Sequence, residues 1–301
     1  MTDKHVRIYE VGPRDGLQNE KEPISTDAKL RFLSLLADAG LHEIEATSFV
    51  SPKAIPQLAD ADELMSRLER RPGVRYPVLV PNARGLERAE AAGADAVAVF
   101  TAASEPFTKA NINMTIAESI DAFRPVVTRA RERGWWTRGY VSTAFGCPYQ
   151  GAVGEAAVVG VAQQLLELGV DELSIGDTIG VAGPADVRRV VEALFTAGIG
   201  AERLAMHFHD TRGTALANVS AALELGIRCF DASTGGTGGC PYAPGAAGNL
   251  ATEDLVYLLE REGLTHGVDL DALLVAARHV TETLGRPLTT KVGQAGGWRV
   301  P

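Results

Sequence analysis

This chain is poor in cysteine, short of basic charge and without a long apolar run. Its 301 residues hold three cysteines, Cys147, Cys229 and Cys240. No two of them form a Cys-x-x-Cys pair, and their number is odd. A disulfide framework is therefore not expected, and a reducing, cytoplasmic setting is. Acidic residues outnumber basic ones, 38 to 29, for a formal charge of -9. A sequence-independent grip on nucleic acid needs a basic face, so nucleic acid is not an expected partner. No apolar stretch reaches the roughly 20 residues of a membrane span, and no basic-plus-apolar leader is read at the start, so no membrane partner is expected. Two nucleotide signatures are also missing. No Gly-x-Gly-x-x-Gly follows the first predicted strand, and there is no Walker A sequence.

What the chain does have is a loose internal repeat. Asp38-Ala-Gly-Leu-His-Glu-Ile-Glu-Ala-Thr is echoed by Ala91-Ala-Gly-Ala-Asp-Ala-Val-Ala-Val-Phe. It returns at Leu168-Gly-Val-Asp-Glu-Leu-Ser-Ile-Gly-Asp and at Leu225-Gly-Ile-Arg-Cys-Phe-Asp-Ala-Ser-Thr. Each time an Ala/Leu-rich helical stretch stops at glycine, and a short apolar strand follows. Eight strands are predicted, at Val6–Glu10, Glu43–Ala46, Arg75–Val80, Ala96–Phe100, Thr137–Val141, Glu172–Ile175, Arg203–Phe208 and Cys229–Ala232. Helical stretches alternate with them. Strict alternation over about 250 residues predicts an α/β fold of the (β/α)8 TIM-barrel class rather than an open sheet. No linker is evident, so residues 1–301 read as one catalytic domain. From about residue 254 the chain reads as a short helical C-terminal appendage.

A barrel puts its chemistry at the C-terminal ends of its strands. The seventh predicted strand ends in His207-Phe-His209-Asp210. A strand's side-chain period is two, so both imidazoles point to one side and make half of a metal site. The first strand runs into Arg14-Asp15, the second ends near Glu45 and the sixth in Asp177. After the eighth strand comes a glycine-rich loop carrying Cys240 and ending at Asn249. Ring closure makes the first and eighth strands neighbours, so all of these lie on one arc. Asp15, His207, His209 and Asn249 then form a mixed nitrogen and oxygen set suited to Mg2+ or Mn2+, with Zn2+ or Co2+ as alternatives. Asp15 also reads as a turn former and Asn249 as a helix cap, and these readings stand beside the metal. Arg14 offers a fixed positive charge for a developing enolate or carboxylate. Glu45 and Asp177 are placed either to orient site groups or to hold the barrel mouth by buried hydrogen bonds. Cys240, on a loop too polar for core, is a candidate proton donor or acceptor, and Cys147 reads as loop wall.

Several of these segments resemble one family. Val11-Gly-Pro-Arg-Asp-Gly-Leu-Gln-Asn-Glu, Glu45-Ala-Thr-Ser-Phe-Val-Ser-Pro-Lys, Phe107-Thr-Lys-Ala-Asn-Ile-Asn, Gly176-Asp-Thr-Ile-Gly, His207-Phe-His-Asp-Thr and the run from Gly238 through Cys240 to Asp254 are similar to the 3-hydroxy-3-methylglutaryl-coenzyme A lyases. The likeness extends from about Val6 to Leu259. It implies cleavage of a branched hydroxyacyl-CoA thioester to acetyl-CoA and acetoacetate, a step of leucine degradation. It also implies metal ligation by the residues matching Asp15, His207, His209 and Asn249, enolate stabilisation by Arg14 and proton transfer by Cys240. Glu45 and Asp177 match further residues implicated in that site. A homo-oligomer, dimer or tetramer, is expected. One departure is Arg212, where the family often has Tyr, and it leaves acyl specificity open. The same chemistry on a related branched 3-hydroxyacyl-CoA (citramalyl or isohexenylglutaryl type), or condensation with a 2-oxo acid, are the alternative readings.

Overall fold

The computed structural model describes residues 4–239, 248–287 and 290–298. Nine short strands form one all-parallel sheet: β1 Arg7–Glu10, β2 Glu43–Ile44, β3 Thr47–Ser48, β4 Val78–Leu79, β5 Ala96–Ala102, β6 Trp136–Ser142, β7 Glu172–Asp177, β8 Leu204–Phe208 and β9 Cys229–Ala232. Their order is β2-β1-β9-β8-β7-β6-β5-β4-β3. β2 and β3 belong to one predicted strand, parted only at Glu45 and Ala46. Glu45 N still bonds Glu10 O at 2.9 Å, and Ala46 N bonds Pro77 O at 2.9 Å. The segment 43–48 thus faces β1 on one side and β4 on the other, so the pairing returns to where it began. Curled parallel strands that meet in this way are consistent with the expected barrel.

Helices fill the crossovers: α1 Thr26–Asp38, α2 Ala61–Arg67, α3 Ala83–Ala91, α4 Glu105–Ile112, α5 Ile116–Glu132, α6 Glu155–Leu168, α7 Pro184–Thr196 and α8 Ala215–Glu224. Then come α9 Thr252–Arg261, α10 Leu270–Leu284 and α11 Lys291–Ala295. Two of these escape a sequence reading, α2 and α4, because each is about two turns long and lacks an extended apolar period. Local signals set the ends. Thr115 and Glu118 form a reciprocal capping box for α5, and Gly169, at φ 102°, stops α6 before β7. The apolar faces of the helices pack on the outside of the strands, with Leu33, Leu36, Val126, Leu165, Val191 and Leu255 fully buried.

The interior enclosed by the strands holds buried charge. Arg138 on β6 is fully buried, its guanidinium 3.8 Å from the Tyr9 ring centroid and ion-paired to Glu172 and Asp231. A buried charge persists only when paired and hydrogen-bonded, and this one is stacked as well. α10 packs beside α1, and His279 Nε2 lies 2.9 Å from Ala28 O. No helix among the described residues is long and apolar enough to cross a membrane.

Candidate metal centre

β1 leads into a single wide helical turn, Gly12–Gly16, in which the amides of Arg14, Asp15 and Gly16 all point at Val11 O at 2.8 to 3.2 Å. Pro13 starts the turn, and Gly16 lets it pack tightly. A Cβ at Gly16 would sit 2.3 Å from Thr237 Oγ1 and 2.7 Å from Ser233 Oγ. The turn presents Asp15 toward the end of β8. There His207 and His209 lie with ring centroids 5.2 Å apart. One ligand atom from each of Asp15, His207 and His209 falls within 4.8 Å of the other two.

Asn249 joins them through the backbone. Segment 248–250 runs along the end of β8, with Asp210 N on Gly248 O at 3.1 Å and Leu250 N on Phe208 O at 2.9 Å. Asn249 is consequently bridged to His209. It does not cap the following helix, because α9 starts after Ala251. Its Nδ2 donates to Asp15 Oδ2 at 2.9 Å and to Thr237 O at 3.0 Å. Two acceptors on one side fix the orientation of the amide. Its Oδ1 is buried and accepts no hydrogen bond from the described residues. An orphaned amide oxygen beside a carboxylate and two imidazoles is the donor set a divalent cation needs, so the residues fit a metal.

Electrostatics favour the same reading. Burial alone would raise the Asp15 pKa, but Arg14, His207, His209 and the Asn249 hydrogen bond outweigh it and hold the carboxyl at about 2. A group that stays ionised so far down is ready to meet a cation without first losing a proton. Arg14 Nη1 donates to Asp15 Oδ1 at 2.7 Å and its Nε to Glu45 Oε2 at 2.7 Å. Glu45 also accepts from Tyr140 OH at 3.0 Å, and the Arg14 guanidinium lies 5.3 Å from the Tyr140 ring centroid. Glu45 therefore holds Arg14 through Oε2. Asp177 ends β7 at the same mouth. Both of its oxygens accept backbone amides, Val181 N at 3.0 Å and Ala182 N at 2.9 Å, which folds the following loop.

Cys240 lies outside the described residues. The neighbouring Gly239 carbonyl accepts from Asn19 Nδ2 at 2.9 Å, and Gly238 abuts Asn249. Cys147 is buried in the wall, with Ser104 Oγ donating to its sulfur at 3.0 Å. Arg212 spends Nη1 on the carbonyls of Ile179 and Gly180 at 3.0 and 2.8 Å, bracing one mouth loop against the next. A sequence reading passes over Asp231, Arg138, Tyr140 and Ser174. The available signal was a charge embedded in each of two apolar strands, Arg138 in Trp136–Ser142 and Asp231 in Cys229–Ala232, which implies a buried partner.

The HMGL-like family matches residues 5–280. The chain is 49% identical over 292 residues to the human protein named "Hydroxymethylglutaryl-CoA lyase, mitochondrial", covering 97% of this chain and 90% of that one. It superposes on the hydroxymethylglutaryl-CoA lyase structure from Pseudomonas aeruginosa with a TM-score of 0.95 at 48% identity, covering 98% of each chain. An HMG-CoA lyase structure from Acinetobacter baumannii, in complex with coenzyme A and 3-methylmalate, gives a TM-score of 0.93 at 40% identity and covers 99% of this chain and 98% of that one. With likeness of this depth along nearly its whole length, and a metal-ready cluster in its mouth, the chain belongs to the HMG-CoA lyase family.

Proposed function

We propose that this protein cleaves 3-hydroxy-3-methylglutaryl-CoA to acetyl-CoA and acetoacetate, on a (β/α)8 barrel with a helical C-terminal appendage and with Mg2+ or Mn2+ as cofactor. The observation that carries this reading is the meeting of Asp15, His207 and His209 within 4.8 Å, with the Arg14 guanidinium bonded to the same Asp15. Asp15, His207, His209 and Asn249 Oδ1 would hold the ion. When bound, a divalent cation supplies Lewis acidity, making a substrate hydroxyl more acidic and orienting its neighbouring oxygen.

The remaining work falls to side chains of this chain. A base at the site, Asp15, His207 or a bound water, takes the proton of the tertiary hydroxyl; breaking the carbon–carbon bond then releases acetoacetate and leaves negative charge on the thioester fragment as an enolate. Arg14 is held by Glu45 and Asp15 before substrate arrives, so its charge meets the enolate without reorganisation. Tyr140 supports that arrangement through Glu45. The low proton affinity of Asp15 suits a ligand and makes it a weak general base. Asp177 shapes the mouth by fixing the loop at Val181 and Ala182. Cys240 delivers the proton that turns the enolate into acetyl-CoA. What supports this role is the sequence position of Cys240, directly after Gly239, since Gly238 borders Asp15 and Asn249 and the Gly239 carbonyl accepts from Asn19.

The test is a thioester-cleavage assay with products identified by mass spectrometry, run with chelator and with Mg2+ or Mn2+ restored. Acetoacetate and acetyl-CoA formed only with metal support the reading. Preferential cleavage of a citramalyl or isohexenylglutaryl thioester from the same panel would replace the substrate and keep the chemistry. No metal-dependent cleavage of any thioester would overturn it.

A further inference from the structure

Asp231 lies one strand away from the metal cluster, at the level of His207. The two residues are register partners on β9 and β8. Asp231 is 1% exposed, so its charge must be met by protein. Its Oδ1 accepts Arg138 Nη2 at 2.6 Å. Its Oδ2 accepts Ser174 Oγ at 2.8 Å and lies 3.1 Å from His207 Nδ1. These three contacts come from β6, β7 and β8 and occupy the carboxylate, so it is no spare metal ligand.

The hydrogen bond has a consequence for the proton on His207. Paired with Arg138, Asp231 is a carboxylate with acceptor character only. The proton shared with His207 therefore belongs to Nδ1 of the imidazole. A neutral ring protonated at Nδ1 has its lone pair on Nε2.

We propose that Asp231 is a positioning residue that fixes His207 as the Nδ1–H tautomer, so that Nε2 faces Asp15 and His209 as the metal-binding atom. This assignment rests on the metal reading of the site given above. The carboxylate also stops the ring from turning about its Cβ–Cγ bond, because a flip would exchange a carbon for the bonded nitrogen. Arg138 is part of the device. Stacked over Tyr9 and anchored to Glu172, it directs Asp231 and neutralises a charge the barrel interior could not otherwise hold.

Asp231→Asn is the informative substitution, because the amide is isosteric and can take only one arrangement beside Arg138. Its single oxygen must face the guanidinium. The NH2 group then points at His207 and donates to Nδ1, which forces the proton to Nε2 and blocks the metal-binding atom. Loss of such an outer partner costs about 10- to 100-fold in metal affinity.

Two measurements test this. The first is a two-bond 1H–15N correlation spectrum of metal-free protein labelled at histidine, at pH 8, with His207 assigned through His207→Gln. Wild type should show a protonated Nδ1 and a bare Nε2, and Asp231→Asn should show the reverse. An Nε2–H ring or an averaging mixture of the two tautomers in wild type would overturn the assignment, and this spectrum decides even if the variant does not fold. The second is Mn2+ titration by electron paramagnetic resonance. Asp231→Asn should bind about 10- to 100-fold more weakly with stoichiometry unchanged. Wild type that binds Mn2+ while Asp231→Asn matches it within twofold would overturn the role of Asp231 alone. Wild type that binds no Mn2+ would overturn the metal reading itself.

Discussion

Arg14 and Glu45 are 31 residues apart, yet they meet in the barrel mouth, Nε to Oε2 at 2.7 Å with both side chains buried. A buried guanidinium bonded this way is fixed in place, as the proposed enolate-stabilising role requires. Arg14→Lys removes the planar fork that serves Glu45 and Asp15 together. We expect kcat to fall by about 100- to 1000-fold, the usual cost of losing one such donor. Bound Mn2+ should stay at wild-type stoichiometry. Steady-state kinetics beside metal analysis checks both halves.

Asp15 meets His207, His209 and Asn249 at once. Asp15→Asn keeps the shape and removes the charge, so stoichiometric metal should disappear from the purified protein. Since even outer-shell partners cost about 10- to 100-fold, activity at fixed Mn2+ should drop by at least the upper end of that range. Calorimetric titration with Mn2+ measures the first effect, and an unchanged isotherm would remove Asp15 from the ligand set.

Gly238 has φ +109°, and a Cβ there would come within 2.5 Å of Asn249 Nδ2. Gly238→Ala therefore combines backbone strain with a push on the amide proposed as the fourth ligand. Weaker Mn2+ binding is expected, with the thermal midpoint lowered as well. A variant with wild-type affinity would mean that Asn249 contributes little to holding the ion.

Cys240→Ser should bind metal as wild type does while losing most turnover, because a serine hydroxyl is a far poorer proton donor than a thiol at neutral pH. Product formation and Mn2+ stoichiometry measured on one sample separate the two. Turnover that survives the change would take the thiol out of the reaction.

Glu253 at the start of α9 is buried, and its Oε2 accepts Gly235 N at 3.0 Å. Burial pushes its pKa from 4.5 up to about 7, against the opposing pull of that hydrogen bond. Between those two values the folded protein keeps a proton that the unfolded chain has lost. Stability from this group is therefore present below pH 4.5, falls as pH rises to about 7 and is flat beyond. Glu253→Gln removes the dependence. Its advantage over wild type in urea unfolding should grow by on the order of 3 kcal/mol between pH 4.5 and 7.5. A constant difference across that window would show that the carboxyl is not perturbed.

Much of this was legible along the chain. Arg203–Phe208 reads as a strand whose period puts His207 and His209 on one side, and the structure starts β8 one residue later, at Leu204, because Arg203 closes a short 3-10 turn. Cys229–Ala232 is likewise a strand as expected. The second strand is less regular than it reads, because residues 43–48 change partners halfway. Helices α2 and α4 were hidden by their brevity. At the site, the sequence marks Glu45 and Asp177 as strand-end carboxylates but cannot say what they hold. Glu45 holds Arg14, and Asp177 holds two amides of its own loop.

Local pattern alone determined the alternation of strand and helix, the apolar faces and the pairing of two imidazoles, since each depends on residues within a few positions of one another. The neighbours of those imidazoles were decided only by the closed circuit of strands. That circuit puts Asp15 and Asn249, 234 positions apart, within 2.9 Å, and Arg138 and Asp231, 93 apart, within 2.6 Å. Such contacts depend on strand register and ring closure, which no short window of sequence contains.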